Sequence, residues 1–178
     1  MNNLLNYLTT EEYQSIKEDN NLYNKALTLV TILFKNKKDK EGEQYLNHLI
    51  RVSNSVDNSD TKVAALLHDT IEDIAKVEYQ DLIEIGFPQN IINIVKLVTT
   101  EDKDKPYHDK ITSIIESNNI EAIKLKYADM SDNADTKRMS KLDINTQERL
   151  HKKYDNELER LKNAIERSTW WKTLLKLV

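Results

Sequence analysis

Four ionisable side chains crowd into the six residues His68-Asp69-Thr70-Ile71-Glu72-Asp73. On a helix, rotations of about 100 degrees per residue put His68, Asp69, Glu72 and Asp73 in one angular sector, with Leu67, Ile71 and Ile74 on the other side. Like-charged residues three or four apart cost about 0.2–0.5 kcal/mol per pair even in water. The preceding Val63-Ala64-Ala65-Leu66-Leu67 is apolar on every side, the pattern of a helix in the middle of a bundle. The acidic cluster is therefore expected to be buried, where an uncompensated carboxylate takes up a proton instead. A divalent cation relieves both penalties, and the imidazole beside the carboxylates is what separates a metal site from a solvated acidic face. The chain has no cysteine, so a metal must be held by His, Asp, Glu or backbone oxygen.

One histidine and one aspartate do not complete a coordination sphere, so further ligands are expected at distant positions. His48 lies beside the stripe Tyr45, Leu49, Val52 and Val56, where a core histidine with one hydrogen bond is the plainer account. Asp129 is the stronger anomaly. Ala122, Leu125 and Asp129 follow helical spacing, so a carboxylate continues an apolar stripe, and buried aspartates are seldom accidental. Asn133 follows one turn later and can reach the same space.

The elements that must position these residues all read as helices. Tyr13, Ile16, Leu22, Ala26, Leu29, Val30, Leu33 and Phe34 fit two helices parted at Asn20-Asn21. Lys35 to Gly42 is polar throughout and reads as an exposed connection. A third helix begins near Tyr45 and is predicted to end near Asn58-Ser59, with Asp60 capping a fourth that runs on through the acidic cluster. Further helices are predicted over 79–85, 88–98, 106–116, 120–137 and 146–167. The C-terminal segment 168–178 holds both tryptophans, Trp170 and Trp171, and is expected to pack onto the bundle rather than onto a membrane.

Composition narrows the functional classes. A chain of 178 residues with 39% hydrophobic and 31% charged residues, but only 2 Gly and 2 Pro, favours long helices over turn-rich sheet. A net charge of -4 gives no general attraction to a nucleic-acid polymer. No stretch approaches a membrane span and the N-terminus lacks a signal-peptide pattern, so a soluble, cytoplasmic protein is expected. A homo-oligomer is compatible with this composition.

The order His48, His68-Asp69, Asp129 resembles the H...HD...D signature of the HD superfamily of metal-dependent phosphohydrolases. Within it, Ala64 to Asp73 looks like the HDxxED signature of the RelA/SpoT-type hydrolase domain and its small single-domain relatives. Gly42 to His48 is similar to that family's G-x-P-Y-x-x-H-P segment, and Ile123 to Asn133 to its K-L-A-D-R-L-x-N segment. The likeness spans roughly Leu22 to Leu161. Gln44 and Leu49 stand where prolines are expected, Met130 replaces an arginine, and Asp135 stands where an arginine commonly follows.

The resemblance implies a compact all-α HD-domain bundle, a single domain over residues 1–178 with its core at about 22–161. It implies one divalent ion, manganese, held by His48, His68, Asp69 and Asp129. A His/carboxylate set by itself suits manganese, iron or zinc. Glu72 and Asp73 are then the residues that orient water and accept its proton, and Asn133 and Lys38 contact substrate. Lys35, Lys37, Lys124 and Arg138 read as solvated, as do His108 and His151 outside the motifs. The activity implied is hydrolysis of a nucleotide substrate by a (p)ppGpp 3'-pyrophosphohydrolase of the small alarmone hydrolase type. Two alternatives compete: an HD phosphatase for another nucleotide or a phosphorylated nicotinamide cofactor, and a non-catalytic HD-fold nucleotide-binding module.

Overall fold

The computed structural model describes residues 2–102 and 104–174, with side chains through residue 168. Its regular structure is helical throughout, and among the described residues the extended pairing is an isolated bridge between Lys38 and Gln44. Two units form, Met1–Glu101 and Asp102–Val178.

In the first unit, short polar side chains set the helix starts. Thr9 and Glu12 form a reciprocal capping box at α1 (Thr10–Glu18), and Asn21 accepts from the Asn24 amide at α2 (Leu22–Leu33). α3 (Tyr45–Asn54) ends earlier than the sequence suggests, because Asn58 rather than Asp60 caps α4 (Ser59–Leu67), accepting from the amides of Asp60 and Thr61. Asp60 instead accepts from Asn90. After α4 come α5 (Thr70–Asp73), α6 (Tyr79–Glu84) and α7 (Gln89–Val98). α4 is the central element, packed by α2, α3 and α7, and Val63 through Leu67 are all buried. This is the all-round apolar pattern expected of it.

A buried lysine ties this unit together. Lys25 Nζ donates to Lys17 O at 3.0 Å and Ile85 O at 3.2 Å, so one ammonium serves carbonyls at the C-terminal ends of α1 and α6. Burial pushes this lysine below its ordinary pKa. Gly86, at φ +109°, makes room: a Cβ there would lie 2.7 Å from Lys25 Nζ. At the N-terminus, Asp81 receives the Asn3 amide at 2.7 Å and the Glu78 amide at 2.8 Å, which fastens the leading segment to α6.

In the second unit, α8 (Tyr107–Glu116), α9 (Ile120–Asn133), α10 (Thr136–Met139) and α11 (Ile144–Leu174) follow in order, with α11 packed on α8 and α9. The helix predicted over 120–137 divides because Asp135 caps a new turn, accepting from the Arg138 amide. His108 is exposed but is not idle. Its ring lies 2.8 Å from Oε1 of buried Glu157, which also takes Arg160 at 2.5 Å. The side chains of Trp170 and Trp171 lie outside the described residues. Among the described residues, no helix is long and apolar enough to cross a membrane.

Replacing Gly86 by Ala combines a left-handed backbone with a displaced ammonium. The expected cost is about 1–3 kcal/mol, read as a lower urea midpoint without a change in slope.

Candidate metal centre

α3 delivers Tyr45 as its first residue and His48 one turn later, with His48 only 2% exposed. The turn ahead of α3 is largely exposed, as expected, and is held by hydrogen bonds of its own. Asp39 accepts from the amides of Glu41 and Glu43 at 3.0 and 2.9 Å, and the Tyr45 amide donates to Lys37 O at 3.0 Å. Gly42, at φ +83°, turns the chain where a side chain would be strained.

A single helix through Asp73 does not form. α4 ends at Leu67, Asp69 adopts φ -95°, ψ 0°, and α5 starts afresh. A side-chain hydrogen bond accompanies the break. His68 Nδ1 lies 2.7 Å from Ala65 O, and since a carbonyl only accepts, Nδ1 carries the hydrogen. That carbonyl is the one a continuing helix would offer to the Asp69 amide.

That bond leaves His68 Nε2 as the lone-pair nitrogen, 3.1 Å from Asp69 Oδ2. The same oxygen lies 3.8 Å from His48 Nε2 and accepts from the Tyr45 hydroxyl at 2.5 Å. The two imidazoles are tilted by 59° with centroids 5.5 Å apart. One ligand atom from each of His48, His68 and Asp69 falls within 4.8 Å of the others. An imidazole lone pair and a carboxylate oxygen held this close require a proton or a cation between them. Two imidazoles and a carboxylate form a donor set that first-row divalent metals accept, so the residues present fit such an ion.

The acids beyond the break differ from expectation in one respect: Glu72 and Asp73 are exposed, and burial falls on His68 and partly on Asp69. Solvent therefore relieves part of their repulsion. Local bonds fix them too. Glu72 Oε1 accepts from the Thr100 amide at 2.5 Å, just beyond α7, and Asp73 pairs with Lys37. The Lys37 ammonium also lies 4.1 Å from the Tyr45 ring centroid. Tyr45 and Lys37 thus join the residues singled out from sequence. Tyr45 carried a signal in its place within the segment Gly42 to His48, whereas Lys37 read only as one of several solvated lysines.

In the second unit Asp129 is buried on α9, as its stripe suggests. Lys126 Nζ contacts its Oδ2 at 2.8 Å and Asn133 Nδ2 donates to its Oδ1 at 2.7 Å. Met130, in the position of the family's arginine, is fully buried. Lys38 is exposed in the turn ahead of α3.

This is an all-α domain with a histidine–carboxylate centre able to hold a divalent metal. A model described as the HD domain matches residues 26–132, more than half of the chain and across both units. The chain belongs to the HD domain family. Its fold is similar to a solved structure described as a metazoan orthologue of SpoT that hydrolyses ppGpp and plays a role in starvation responses. The TM-score is 0.62 at 21% identity, covering 84% of this chain and 94% of that one. No curated protein matches by sequence.

Tyr45→Phe removes the hydroxyl that holds Asp69 Oδ2. Divalent-metal affinity is expected to fall about 10–100-fold, measured by equilibrium dialysis, with helix content unchanged by circular dichroism.

Proposed function

We propose that this chain is a metal-dependent phosphohydrolase of a nucleotide, with (p)ppGpp 3'-pyrophosphohydrolysis as its reaction, built as one HD domain over residues 1–178. The observation that carries this reading is the convergence of His48, His68 and Asp69 within 4.8 Å in a chain of the HD family. These three would hold the ion, with Asp129 as fourth ligand by resemblance, and manganese is the metal proposed. When bound, such an ion acidifies a water ligand and offsets charge on phosphoryl oxygens.

The remaining work falls to the protein. Glu72 and Asp73 are the proposed residues that orient the attacking water and accept its proton. Their placement at the surface of α5 leaves both reachable by water and substrate, while the Thr100 amide and Lys37 limit their freedom. Tyr45 holds Asp69 against the two imidazoles. Lys38 and Asn133 are proposed to contact substrate, the first from its exposed turn.

A second reading, hydrolysis of another nucleotide or of a phosphorylated nicotinamide cofactor, has its own support. Met130 is sealed in the core where the family's arginine would offer a cation, and Asp135 is committed to capping α10. A substrate with fewer phosphates needs fewer such cations.

Metal-stripped protein given back manganese and offered a nucleotide panel is expected to release pyrophosphate from (p)ppGpp, leaving GDP or GTP. Orthophosphate from a different nucleotide selects the second reading, and silence across the panel contradicts both. Glu72→Gln and Asp73→Asn are each expected to lower turnover about 10²–10⁴-fold with bound metal unchanged by elemental analysis.

A further inference from the structure

We propose that Lys126 opposes metal loading at Asp129: its ammonium is a built-in counter-cation of that carboxylate, and it weakens the affinity for a divalent ion. This rests on the reading of Asp129 as a ligand.

A lysine three residues before an aspartate on an exposed helix contributes little, because water screens the pair and side-chain entropy offsets it. This pair is placed differently. Asp129 is 7% exposed and the Lys126 side chain 14%, so screening by salt and solvent is weak. Lys126 Nζ contacts Oδ2 at 2.8 Å while Asn133 takes Oδ1 at 2.7 Å, so α9 supplies a donor to each oxygen, one turn before and one turn after. The environment is shared with α8. The Tyr107 phenol is raised well above its ordinary pKa, first by burial, with Lys126 drawing it down and Asp129 pushing it up.

Charge then decides the consequence. The carboxylate carries one negative charge, and the ammonium neutralises it. A divalent ion bound to the same carboxylate would meet that ammonium as a like charge at short range in a weakly screened setting. The neutral Asn133 amide imposes no such penalty and keeps the carboxylate oriented. Lys126 therefore stabilises the protein without metal and works against the metal, two effects of opposite sign from one residue. A residue that only supports the fold would weaken both when removed.

The test uses the full chain with Mn2+ alone as probe, comparing wild type, Lys126→Met, Lys126→Gln and Lys126→Arg by calorimetric titration and by thermal unfolding of chelator-treated protein. Lys126→Met and Lys126→Gln are expected to bind Mn2+ about tenfold more tightly or better while their chelator-treated forms melt at lower temperature. Lys126→Arg, which keeps the charge, should bind as wild type does. Gln retains a donor to Oδ2 and so reports even where Met does not fold. Unchanged or weaker Mn2+ binding in Lys126→Gln overturns the proposal. Asp129→Asn separates the two layers: if it binds Mn2+ as wild type does, Asp129 is not a ligand and the underlying reading fails, whatever Lys126 shows.

Discussion

The hydrogen bond from the His68 ring to the Ala65 carbonyl organises the centre. It fixes the tautomer, directs Nε2 at Asp69, and ends on the carbonyl that a continuing helix would offer to the Asp69 amide. Beside that bond α4 stops at Leu67 and the chain bends at Asp69. The bond can be held rigidly because Val63 through Leu67 are buried among three other helices. Core packing thus sets the position of His68, directly before the bend that presents Asp69.

The same logic runs outward from Asp69. Its Oδ2 faces both imidazoles and the Tyr45 hydroxyl, and Tyr45 stacks on buried Phe34 with centroids 5.4 Å apart. Lys37 lies over the Tyr45 ring and pairs with Asp73, so the ordered turn ahead of α3 reaches both the imidazole side and the acid side of the break. Of the three acids, Asp73 takes the Lys37 ammonium, Glu72 the Thr100 amide and Asp69 the Tyr45 hydroxyl.

Much of this was legible in the sequence. The apolar run Val63 to Leu67 marked the buried helix, the spacing of Ala122, Leu125 and Asp129 marked a carboxylate on an apolar face, and the all-α bundle followed from composition and periodicity. Four things were not. Helical periodicity places His68 through Asp73 on one continuous face, because a rotation rule has no knowledge of the break between α4 and α5. Burial of the acidic cluster was extrapolated from the residues before it, and the bend at Asp69 turns Glu72 and Asp73 back to solvent. Lys37 could not be told from its neighbours in Lys35-Asn36-Lys37-Lys38, since what selects it is the turn closed by Asp39 and Gly42. Lys25 offered no signal either, as its role depends on two carbonyls, one of them sixty residues away in sequence.

The proposed hydrolysis depends on one ion held by His48, His68 and Asp69, with Asp129 as the proposed fourth ligand. The most direct measurement titrates Mn2+ into chelator-treated protein while recording bound metal and nucleotide hydrolysis on the same samples. Hydrolysis should be absent without metal, rise in proportion to occupancy, and level off at one ion per chain. A rate that is already full before metal is added, or that stays at zero when the site is filled, would contradict it.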